Sequence, residues 1–158
     1  MLCVYWICTD NYGDFTKNQT PAERLSRESW RRLQWWVRNV VKLTGDPIAV
    51  DAMLCFMAIH DLGKIRDIRR DLSPGIRDHD KALLYIIENT PAVLPSYLRL
   101  PAFYQKLIHS ALTVEFNFGQ FLQGENLPAN LVKVKTMLGD EGKDALSFYL
   151  FHIFVDIA

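Results

Sequence analysis

The residues able to do chemistry fall where polarity is least expected. All four histidines, His60, His79, His109 and His152, lie beyond residue 59. His60 and Asp61 directly follow IAVDAMLCFMAI, a run that is almost wholly apolar. Setting a carboxylate beside apolar surface costs free energy unless a cation or several hydrogen bonds offset it. A divalent ion does so, since imidazole and carboxylate both ligate first-row metals. Gly63 removes a side chain next to the pair and lets a ligand approach the backbone. Lys64 follows His60 by four residues and Asp61 by three. A continuing helical turn therefore carries its ammonium over the same spot, where it suits a phosphate held by a metal. A His-Asp pair closing a helix is also an ordinary structural feature. What sets this one apart is the apolar helix before it and Leu-Gly-Lys after it.

The remaining polar candidates carry less information. His152 stands four residues before Asp156 on the same helical face. It either orients that carboxylate, joins the site, or is a satisfied core histidine. Asp78 and Asp80 flank His79, and helix capping explains both. Arg66, Arg69 and Arg70 form either a phosphate-reading patch or a solvated face. Trp30, Trp35 and Trp36 fit the core face and flank of a helix better than a base-stacking platform. No phosphate-binding P-loop, serine nucleophile elbow or H-E-x-x-H zinc pattern occurs.

The elements that must position these residues read as helices. Thr20, Pro21 and Glu23 have the arrangement of an N-cap, a first-turn proline and a capping-box glutamate. Leu25, Trp30, Leu33, Val37, Val40 and Val41 follow at helical spacing, with Gly45 as the terminating residue. Arg24, Arg31, Arg38 and Lys42 occupy the opposite face. Asp46-Pro47 starts a second helix through Ile59; being apolar nearly all round, it should lie at the centre of the domain. Asp78 caps a helix ended by Thr90-Pro91, Pro101 starts another, Pro128 starts one up to Gly139, and residues 144–157 form the last. Residues 9–19 and the charged stretch 64–75 read as connections, and FNFGQF is ambiguous. The fold class is all-α with six or seven helices. Residues 1–19 read as an N-terminal extension or part of a preceding segment, and 20–158 as the helical domain. The apolar MLCVYWIC start and abrupt VDIA end point to a fragment of a longer chain.

Composition narrows the function classes. A chain of 158 residues with 49% hydrophobic and 12% aromatic content is ample for one folded core. Eighteen basic residues balance eighteen acidic ones, so no general electrostatic attraction to nucleic acid or anionic membrane is expected. Nothing approaches the roughly 20 apolar residues of a membrane span. Three cysteines without a C-x-x-C pair favour a reducing, cytoplasmic setting.

AIHDLGK resembles the signature of the HD-domain metal-dependent phosphohydrolases, and three later segments extend the resemblance in order: DHDKALLYII, LIHSAL and FHIFVDIA. It covers roughly residues 20–158 and implies an HD-like helical bundle. It further implies that His60, Asp61 and Asp156 hold one divalent ion (Fe, Mn, Co, Ni, Zn or Mg). His79 and His109 would complete a second site, with Asp61 bridging. Asp61 and Lys64 would be the catalytic pair, and Lys64 and Arg66 would bind substrate phosphate. The implied substrate is a phosphate ester or nucleotide. One departure stands out. The family pattern begins with a histidine on the preceding helix, and here the register falls at Glu28 to Trp30. Glu28 can offer an oxygen; Trp30 cannot ligate. A degenerate, non-catalytic domain acting as a ligand-binding or regulatory module is the alternative.

Overall fold

The apolar residues segregate onto helical faces that close around one core. The computed structural model describes residues 1–114, 116, 118–125, 127–138 and 142–157. Among these residues the secondary structure is entirely helical, with no strand. The α-helices run α1 (Leu2–Cys8), α2 (Tyr12–Thr16), α3 (Arg27–Trp36), α4 (Pro47–Ile59), α5 (Arg66–Leu72), α6 (His79–Asn89), α7 (Pro95–Leu98), α8 (Ala102–Thr113), α9 (Phe118–Leu122), α10 (Leu131–Leu138) and α11 (Gly142–Ile157). The count exceeds the six or seven expected. The additional ones include α2, α5 and α7, each of two turns or fewer and too short to show apolar periodicity. The described part of FNFGQF includes the start of α9; Glu115 and Asn117 lie outside the described residues. No helix among the described residues is long and apolar enough to cross a membrane.

The N-terminal stretch is built into the core. Val4 and Ile7 of α1 are fully buried, and the Gln34 side chain donates to the Ile7 carbonyl at 2.7 Å. Tyr12 Oη donates to the Leu25 carbonyl at 2.6 Å, and the Trp30 indole N–H donates to Asp10 at 2.6 Å. Residues 9–19, expected as a loop, therefore include a helix held down by α3.

The first long helix begins six residues later than its proline suggests. Thr20 Oγ1 donates to the Glu23 carboxylate at 2.9 Å, but this pair closes only a turn. Ser26 caps α3 instead, accepting from the Ser29 N–H at 3.0 Å. The helix ends in a π-helical turn, Val37–Val41, followed by Lys42 at φ +61°. The left-handed closing residue is thus Lys42, three positions before the expected Gly45. Trp30 is buried, whereas Trp35 is 62% exposed.

Asp46 caps α4 by accepting from the N–H groups of Ile48 and Ala49. Ala49, Ala52, Met53, Phe56 and Ile59 face the core. Apolar content all round does not bury the helix all round: Ile48 and Ala58 are exposed, and Leu54 is half-buried against a groove beside Leu100 and Pro101. Asp78 caps α6 by accepting from the Lys81 N–H at 2.9 Å. Pro101 starts α8 as its position predicts.

Candidate functional site

The register between α4 and α11 builds the cleft. Phe56 of α4 stacks on Phe148 and His152 of α11, with ring centroids 6.0 and 3.9 Å away. One turn further along both helices, His60 meets His152 edge-to-face at 4.9 Å and Asp156 at 2.9 Å. Rising numbers on one helix meet rising numbers on the other, so the two run in the same sense. A four-residue step keeps side chains on one face, which brings His60 to Asp156 across 96 positions of sequence.

The surroundings of His60 define its electrostatics. Nδ1 lies 2.9 Å from the Met57 carbonyl. A carbonyl only accepts, so Nδ1 carries the hydrogen. Nε2 then faces Asp156 Oδ1 at 2.9 Å and Asp61 Oδ1 at 3.2 Å. A neutral imidazole in this tautomer would turn a lone pair toward two carboxylates. The arrangement calls for positive charge between them, either a proton on Nε2 or a cation. Ligand atoms 2.0–2.2 Å from an ion and at right angles stand about 3 Å apart, matching this spacing. A histidine ligand usually gives its other N–H to a carbonyl or carboxylate, as His60 does to Met57.

Asp61 is not the buried carboxylate that the apolar run suggests. The short 3₁₀ turn Leu62–Lys64 ends the helical stack and carries Asp61 to the rim, where its side chain is half-exposed. Lys64 Nζ pairs with Asp61 Oδ1 at 2.5 Å. That hydrogen bond, followed by the charges of His60 and Lys64, holds the Asp61 carboxyl below its ordinary range. The same bond raises the Lys64 ammonium.

His79 enters from the first turn of α6 and lines the same cleft, together with Asp80. Helix capping alone does not account for Asp80, since it faces this cleft. Gly63 has a different reason from the one expected. A Cβ there would stand 2.0 Å from the His79 carbonyl oxygen. Its missing side chain makes room for the start of α6, not for a ligand.

His152 forms part of the inner wall. It is 8% exposed, and neither ring nitrogen has a hydrogen-bond partner. Burial, then the neighbouring His60, pushes its pKa down to about 4. A buried polar group left unpaired costs about 1–3 kcal/mol, so His152 is not a satisfied core histidine.

Other expected residues lie elsewhere. His109 Nε2 pairs with Glu88 at 3.0 Å. Glu88 is nine residues along α6 from His79, roughly 13 Å at the helical rise per residue. Leu107, Ile108, Ala111 and Leu112 turn into the core, which leaves His109 on the flank of α8 and outside the cleft. Glu28 pairs with Arg32 at 2.6 Å on the exposed side of α3. Arg69 donates to the carbonyls of Gly63 and Arg77, and Arg70 pairs with Asp67 and Asp71. Arg66 starts α5, exposed, with no ion pair among the described residues.

The cleft holds about 170 Å³. Larger concavities, of about 550 and 590 Å³, lie beside Trp35 and beside Leu54, away from the histidines. Among the described residues no group of three or more His, Cys, Asp or Glu side chains is placed to hold a metal ion. As they stand, the donors are engaged with one another and with Lys64. Their chemical types, the His60–Met57 anchor and the spacing around Nε2 nonetheless suit a divalent ion.

The chain belongs to a family of unknown function (DUF6829), whose model matches residues 1–158. Comparison with curated proteins and with solved structures gives no match.

Proposed function

We propose that the protein is an HD-type, metal-dependent phosphohydrolase that acts on a phosphate ester or nucleotide with a single divalent ion. The observation that carries this reading is His60 Nε2 facing two carboxylates while Nδ1 is committed to the Met57 carbonyl. The ordered resemblance of the His60, His79 and Asp156 segments to that family supports it. His60, Asp61 and Asp156 would hold the ion. When bound, it supplies Lewis acidity toward a phosphoryl oxygen and toward water. Asp61, with its lowered pKa, stays ionised at neutral pH and is suited to orient a water. Lys64 neutralises phosphate charge from the rim, and Arg66 stands two residues beyond it. His79 offers a hydrogen bond to the same phosphate. With His109 paired to Glu88, a second ion lacks its ligand set.

Elemental analysis of the purified full chain, beside a screen with a generic phosphate ester, tests the reading. Bound metal and turnover should both disappear in Asp61→Ala. Unchanged metal and turnover in that variant would remove the proposed site. A second reading, a non-catalytic binding domain, draws on the Lys64–Asp61 ion pair, which neutralises the carboxylate without an ion. It expects phosphate binding without metal and no turnover.

A further inference from the structure

We propose that His152 is a metal ligand, standing in for the upstream histidine that the chain lacks, so that the ion is held by His60, Asp61, His152 and Asp156. This rests on the metal-centre reading above and adds a ligand that the resemblance does not supply. Three independent observations converge. His152 is more than nine-tenths buried, lines the cleft, and has no partner on either ring nitrogen. A buried imidazole with nothing to bond is poorly placed unless something else enters the cleft. Second, His152 and Asp156 are four residues apart on α11, the spacing by which one helix presents two ligands to one ion.

Third, the ring geometry fits. An imidazole bound at 2.0–2.1 Å has its ring centroid about 3.2 Å from the ion, so two such rings lie about 4.6–5.3 Å apart between right-angle and tetrahedral arrangements. The His60 and His152 centroids are 4.9 Å apart with the rings inclined at 80°. Nothing from α3 takes the place of the absent histidine: Trp30 is tied to Asp10 and Glu28 to Arg32. Phe56, stacked on His152 at 3.9 Å, fixes the ring plane.

The test is Mn²⁺ added to the metal-free full chain, read by electron spin-echo modulation and by equilibrium dialysis. Two imidazole nitrogens should couple to the bound ion in the unaltered protein. In His152→Phe, which keeps an aromatic ring against Phe56, one nitrogen should remain and Mn²⁺ should bind at least about tenfold more weakly. A single coupled nitrogen in the unaltered protein overturns the role of His152 and leaves the His60–Asp61–Asp156 centre standing. That count does not depend on how the variant folds. Unchanged Mn²⁺ affinity in a folded His152→Phe also overturns it. No Mn²⁺ bound by the unaltered chain removes both this inference and the metal reading.

Discussion

His60 and Asp156 are 2.9 Å apart, and His109 and Glu88 are 3.0 Å apart. By distance the two histidine–carboxylate contacts are equivalent; by surroundings they are not. His60 is anchored at Nδ1, faces a second carboxylate, and has a buried imidazole against its ring. His109 meets one acid on an open flank, with both side chains about half-exposed. A histidine–carboxylate contact becomes a candidate site through the number of acceptors that converge and the groups that fix the ring.

The largest effect belongs to the backbone beneath the His60 region. An alanine at Gly63 would drive its Cβ against the His79 carbonyl, at 2.0 Å, and backbone cannot rotate away as a side chain can. Gly63→Ala should cost more than about 3 kcal/mol, the upper part of the overpacking range, and should separate His79 from Asp61. Urea denaturation measures the first and a crystal structure the second. A cost under about 1 kcal/mol would mean that α6 does not start against Gly63.

A smaller effect concerns pH in the metal-free protein. The unfolded chain protonates His152 near its ordinary 6.5, whereas the folded chain does so only near about 4. Between those values the unfolded state binds more protons, so folding stability falls as pH falls and is unaffected by this group above pH 6.5. The shift corresponds to about 2–3 kcal/mol lost by pH 4. His152→Phe should flatten that part of the curve. Equal slopes in the unaltered protein and His152→Phe would show that His152 is already hydrated or paired.

Parts of this contrast were legible in the sequence and parts were not. Asp46-Pro47, Asp78 and Pro101 mark helix starts through local chemistry, and the structure has helices at all three. Thr20-Pro21 carries the same signal and fails, because Tyr12 and Arg27 (its guanidinium 3.8 Å from the Tyr12 ring) hold that segment as a turn against α3. The convergence of His60 with Asp156 depends on the α4–α11 register, which periodicity does not reveal; only the ordered resemblance pointed to it. His109 has a plausible position in that order but sits on the flank of its helix. The orphaned state of His152 is a three-dimensional fact, invisible until Phe56 and His60 are placed around it.

The smallest effect should come from the His109–Glu88 pair. Half-exposed ion pairs are screened by water and spend side-chain entropy on their geometry, so they contribute only about 0.2–1 kcal/mol. A double-mutant cycle of His109→Ala and Glu88→Gln should return a coupling within that range, read by thermal or urea unfolding. Bound metal per chain should stay the same in both single variants, because neither residue reaches the cleft. By contrast, Asp156→Asn should remove the ion. Loss of half the metal on replacing His109 would bring back a two-ion centre and place α8 differently against α6.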